Sequence, residues 1–91
     1  MNLRAKVNFT GRVQGVFFRA NTKKAADRFR VFGWVMNLPD GSVSAVFEGS
    51  KEDIQNLINW CKTKQPYARV DSANVEWVEY QGEFKGFEIR Y

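Results

Sequence analysis

Histidine is absent from the 91 residues, and Cys61 is the single cysteine. The first absence removes the usual general base near neutral pH and the commonest transition-metal ligand. One cysteine excludes an internal disulfide and any cysteine-based metal cluster. Long apolar runs are missing too, since no stretch nears the ~20 apolar residues of a membrane helix. The opening MNLRAKVNF spreads its charges along its length, unlike the apolar core of a secretory signal. Three expectations follow: no membrane association, no metal or other cofactor, and a cytoplasmic location.

The residues that are present describe an ordinary globule, 44% hydrophobic and 26% charged, with only 2 prolines and 7 glycines. Residues 1–91 fit one small domain with a thin core, and neither a repeat nor a linker divides them. The formal net charge of +4 favours anionic partners, phosphate-bearing metabolites and nucleic acid alike.

Leu3, Ala5, Val7 and Phe9 alternate with Arg4, Lys6 and Asn8, the period of a half-buried strand. Thr22, Ala25, Phe29 and Phe32 then recur at helical spacing, among Lys23, Lys24, Asp27 and Arg28. Residues 33–49 read as a hairpin whose turn chemistry lies in LPDGS, Leu38–Ser42. Ser50 and Asp53 form a capping-box pattern ahead of the apolar stripe Ile54, Leu57, Ile58 and Cys61, which makes Cys61 an inert core thiol. Pro66 ends that helix. Ala73, Val75 and Trp77 begin another strand, and Phe87, Ile89 and Tyr91 alternate in a last one. This order predicts an α+β, ferredoxin-like split βαβ sandwich. Two helices would pack on one face of a mainly antiparallel four- to five-stranded sheet, with the last strand at its edge.

Between the first strand and the first helix stands GRVQGVFFR, Gly11–Arg19. Unpaired backbone N–H groups at a helix start suit a phosphate. Gly11 and Gly15 let the backbone approach closely. Arg19 can grip two oxygens of one anion with its planar fork. No Gly-Lys-Ser/Thr follows, so this is not a Walker loop, and no thiol lies within it. By itself, Gly-x-x-x-Gly before an arginine is better read as a turn followed by a solvated charge.

The wider pattern changes that reading. GRVQGVFFR, GWVMNLPDGSV at Gly33–Val43, Glu48–Gly49, ARV at Ala68–Val70 and the terminal GFEIRY together resemble the acylphosphatase family, in order and along nearly the whole chain. The resemblance implies the ferredoxin-like fold and metal-independent hydrolysis of acyl phosphates to a carboxylate and inorganic phosphate. It matches Arg19 to the family's phosphate-binding arginine and Asn37 to the asparagine that orients the attacking water. It matches the backbone amides of Gln14, Gly15, Val16, Phe17, Phe18 and Arg19 to the phosphate cradle. Inorganic phosphate would be product and inhibitor, and the protein a monomer. Two positions depart from the family pattern: Arg30 stands where a glycine is usual, and Lys64-Gln65 stands where Gly-Pro is usual before Pro66. Neither is expected to touch the site.

Phe17 and Phe18 are expected to pack in the core or loop rather than meet substrate. Lys23, Lys24, Arg28 and Arg30 read as a solvated helix face. The alternative function is a small RNA-binding module on the same sandwich, because the chain is basic and 15% aromatic. KGFEIRY, Lys85–Tyr91, begins like an RNA-binding strand signature. Glu88 breaks that signature with a negative charge, which ranks the alternative low.

Overall fold

A computed structural model describes all of residues 1–91. Its elements follow in the order β1 (Asn2–Arg12), α1 (Phe18–Phe29), β2 (Phe32–Asn37), β3 (Val43–Ser50), α2 (Lys51–Thr63), β4 (Arg69–Val78) and β5 (Phe87–Arg90). The strands make one sheet in the order β4-β1-β3-β2-β5. All neighbours are antiparallel except β2 and β5, which run parallel with Val35 opposite Ile89. The short last strand is therefore an edge addition.

Alternation decides which side of the sheet is covered. Ala5, Val7 and Phe9 of β1 stand opposite Phe47, Ala45 and Val43 of β3. All six are buried. They pack with Phe18 and Ala25 of α1 and with Ile54, Leu57 and Cys61 of α2 in one cluster. Burying each larger apolar side chain contributes about 1.5–3 kcal/mol, and this layer between helices and sheet is where that contribution gathers. Close approach within the sheet is forced at Gly33, whose φ is 143° and where a Cβ would collide with the Val46 carbonyl oxygen.

The helix ends explain the two departures from the family pattern. Arg30 closes α1 in a left-handed conformation, φ 61°, with its N–H donating to the Ala26 carbonyl. Glycine would hold that position without the ~1–2 kcal/mol that a side chain adds there. Gln65 follows α2 and is buried, its Nε2 donating to the Phe18 carbonyl at 3.2 Å and to Thr22 Oγ1 at 2.8 Å. Gln65 thus touches the first residue of α1. That corrects the expectation that this departure lies clear of the loop.

Two aromatic assignments also change. Phe32 lies beyond the helix that its spacing suggested, opens β2, and is exposed. Phe18 is buried as expected, but Phe17 is 72% exposed and belongs to no core. Lys23 is only half solvated, since its Nζ donates to the Phe87 carbonyl at 2.8 Å.

Candidate active site

The loop from β1 into α1 has to turn the chain sharply, and its backbone shows how. Gly15 takes φ 74° and Phe17 φ 60°, both left-handed. Phe17 is the N-cap of α1, yet no side chain caps that end and no acidic residue lies in its first turn. The other helix is built the opposite way: Ser50 Oγ accepts from the Asp53 N–H at 3.0 Å, and Glu52 and Asp53 fill its first turn. Unpaired N–H groups and the helix dipole make the α1 end favourable for an anion, and the missing carboxylates leave that field uncancelled.

The side chains of the loop divide between two directions. Val16 is buried in the core. Gln14 reaches the β2–β3 turn, where its Nε2 donates to the carbonyls of Leu38 at 2.7 Å and Ser42 at 2.8 Å. The turn is itself tied down. Asp40 Oδ1 accepts from the Ser42 N–H at 2.9 Å and from the Ser42 hydroxyl at 2.6 Å. These bonds hold the Asp40 carboxyl below its ordinary value of 3.8, the side-chain bond foremost. Asn8 Nδ2 adds a bond to Ser42 Oγ at 3.0 Å. Hydrogen bonds therefore tie the loop to the hairpin turn.

Gly15, Phe17, Phe18, Arg19 and Asn37 line one cleft of about 270 Å³, together with Ile89 of β5 and Tyr91 just after it. The Arg19 guanidinium lies over the Tyr91 ring, 4.6 Å from its centroid, and Nη1 donates to the Arg90 carbonyl at 3.2 Å. Asn37 ends β2 opposite Val43. Its Oδ1 is buried without a hydrogen-bond partner from the protein. A buried acceptor left alone costs about 1–3 kcal/mol and calls for an explanation at the site. Arg19, Asn37 and the loop backbone were legible in the sequence, whereas the Gln14 side chain as a tether and Tyr91 as a lining residue were not evident there. The alternation Phe87, Ile89, Tyr91 held the signal for the second.

Elsewhere the chemistry is sparse. No group of three or more Cys, Asp and Glu side chains is placed to hold a metal ion. Cys61 is buried, and desolvation pushes its thiol up to about 11. No helix is long and apolar enough to cross a membrane. A larger concavity, about 490 Å³, is lined by Arg4, Lys6, Asn8 and Trp34 and shares no residue with the cleft. The strand that would display aromatics to RNA instead buries Phe87 against Phe47, ring centroids 5.9 Å apart. That removes the residue on which the RNA-binding alternative depends.

A family model described as Acylphosphatase matches residues 5–89. An acylphosphatase of Geotalea uraniireducens is 50% identical over 91 residues, the whole of both chains. One from Aeropyrum pernix is 51% identical over 90 residues, 98% of this chain and 89% of that one. The crystal structure of acylphosphatase from Bacillus subtilis superposes with a TM-score of 0.93 at 31% identity, over 98% of this chain and 99% of the other. Sequence, fold and the loop-bounded cleft agree, and this chain belongs to the acylphosphatase family.

Proposed function

We propose that this chain hydrolyses the carboxyl–phosphate bond of acyl phosphates and that its cleft residues divide the work. The backbone N–H groups of residues 14–19 and the Arg19 guanidinium hold the phosphoryl oxygens. Asn37 holds the attacking water. The observation that carries the assignment is that Asn37 and Arg19 line one cleft with the loop at the uncapped start of α1. The Asn37 side chain, an amide with donors as well as an acceptor, holds a water in the cleft that faces the phosphorus and is positioned for attack.

The chemistry asks for little else. The departing carboxylate is the base of an acid with pKa about 4, so it leaves without a proton from a general acid. Phosphoryl transfer needs chiefly alignment and charge stabilisation on the equatorial oxygens, which a ring of amides and one guanidinium supply. A phosphoryl oxygen of the substrate accepts the proton that the water gives up. A phosphate monoester has a far poorer leaving group, and the same cleft offers no acid to help it.

Inorganic phosphate, the product, fits the same cradle and acts as a competitive inhibitor. A cytoplasmic monomer that works without metal or cofactor completes this reading. Purified protein incubated in EDTA with acetyl phosphate and with p-nitrophenyl phosphate tests it: rapid loss of the first and negligible loss of the second are expected. Equal rates on both, or no turnover of acetyl phosphate, would remove it.

A further inference from the structure

Three non-glycine residues have positive φ: Phe17 at 60°, Arg30 at 61° and Tyr67 at 67°. Arg30 is accounted for by the end of α1. The other two are bulky aromatics, which rarely occupy left-handed backbone. Both are mostly in solvent, Phe17 72% and Tyr67 77% exposed, so burial in the core does not offset their strain. They meet each other instead, edge to face, with ring centroids 6.5 Å apart and planes at 66°. Backbone strain that the fold does not use gathers at ligand sites.

Phe17 lines the cleft, and Tyr67 stands beside Phe17. With Arg12, Gly15 and Val16 they line a second cavity of about 460 Å³. Gly15 and Phe17 line both cavities, so the second cavity adjoins the cradle along the loop itself. An edge-to-face pair leaves π surface available to a further flat group. Arg12 adds a guanidinium, which stacks on aromatic faces. The walls of this second cavity therefore match a planar apolar group better than a short aliphatic one.

We propose that Phe17, Tyr67 and Arg12 form the acyl-group subsite, and that they select acyl phosphates with an aromatic acyl moiety. This rests on the acyl phosphate reading above. The phosphate cradle fixes one end of the substrate, and the aromatic pair recognises the other. Phe17 serves both, its backbone in the loop and its ring in the subsite.

The test compares benzoyl phosphate, acetyl phosphate and succinyl phosphate on the parent, Tyr67→Asn and Phe17→Gly. Asparagine and glycine accept left-handed backbone, so the substitutions remove a ring without adding strain. Tyr67→Asn should lower kcat/KM for benzoyl phosphate about tenfold, mainly through KM, as expected for losing one aromatic contact. Acetyl phosphate turnover and phosphate inhibition should stay within about twofold. Phe17→Gly should lower the benzoyl-to-acetyl ratio in the same direction. Calorimetry with phenacylphosphonate and acetonylphosphonate, which are not hydrolysed, should show the same selective loss. Equal losses on both substrates, or no loss, would overturn the subsite. So would a preference for succinyl phosphate that disappears in Arg12→Gln and survives in Tyr67→Asn. If the parent hydrolyses none of the three, the activity reading fails, and the phosphonate comparison alone decides the subsite.

Discussion

The guanidinium of Arg19 rests on the ring of Tyr91, 4.6 Å from its centroid, so the last residue of the chain supports the cation at the start of α1. A cation–π contact at an exposed site contributes about 0.5–1 kcal/mol, and the 3.2 Å bond to the Arg90 carbonyl adds direction. Together they hold the fork over the cleft before an anion arrives. Tyr91→Leu should therefore raise both KM and the phosphate inhibition constant about two- to fivefold, with kcat little altered. Arg19→Lys keeps the charge but loses the two-point grip, and should worsen KM and kcat together. Steady-state kinetics with phosphate as inhibitor check both. Tighter phosphate binding in Tyr91→Leu would show that the ring parks the arginine away from its ligand.

Asn37 should behave differently from Arg19, because the water it holds is not part of substrate affinity. Asn37→Ala should cut kcat by roughly two to three orders of magnitude, the loss typical of one preorganised polar group. Phosphate inhibition should be unchanged. The same substitution removes a buried acceptor that has no protein partner, so the melting temperature should hold or rise. Loss of turnover combined with undiminished stability is the distinctive outcome. A variant that loses both would place Asn37 in the framework of the sheet.

Much of this could be read from the chain because its signals are local. Alternation at Ala5, Val7 and Phe9 and the stripe Ile54, Leu57 and Cys61 describe faces that the structure buries together. The Asp-Gly turn and the Ser50 cap are likewise set by neighbouring residues. What escaped depends on contacts distant in sequence. Gln14 bonds to carbonyls at Leu38 and Ser42, and Gln65 bonds to the Phe18 carbonyl, and neither partner is marked by any periodicity. Phe17 and Phe18 are adjacent and chemically alike, yet one is buried and the other stands in solvent. Only the left-handed backbone at Phe17 separates them, and composition does not encode it.

The pH dependence should be that of a site without a titrating base. With no histidine in the chain, kcat should stay flat from about pH 6 to 9 once the substrate's own ionisation is corrected. Stability should respond at the extremes. The Asp40 carboxyl is held below 3.8 by Ser42, so its contribution is present above that value and is lost as pH falls through the lower, folded one. Asp40→Asn should be less stable than the parent at pH 7, with the difference vanishing in strong acid. The Cys61 thiol is pushed up to about 11 from 9.0, so stability should decline as pH rises between those values, and less so in Cys61→Ala. Denaturant titrations across pH measure both effects. A kcat midpoint near pH 6.5 would require a base that this cleft does not contain.

Gly15 offers a test of the cradle in which backbone and bulk can be separated. A Cβ placed there meets nothing within 4 Å, so the space is open, but the φ of 74° is left-handed. Any penalty on substitution must come from the backbone conformation itself. Valine, branched at Cβ, resists that conformation by at least about 1–2 kcal/mol, and the loop would relax away from the geometry that points its N–H groups together. Asparagine visits the same region readily. Gly15→Val should therefore raise the phosphate inhibition constant about tenfold or more, the fold-change that corresponds to this penalty. Gly15→Asn should stay within about threefold of the parent. Near-UV circular dichroism from Trp34, Trp60 and Trp77 establishes first that both variants are folded. Equal weakening in the two would point to a steric cause and to an anion lying against the side-chain direction of residue 15. Unchanged affinity in a folded Gly15→Val would mean that the phosphate does not use this loop.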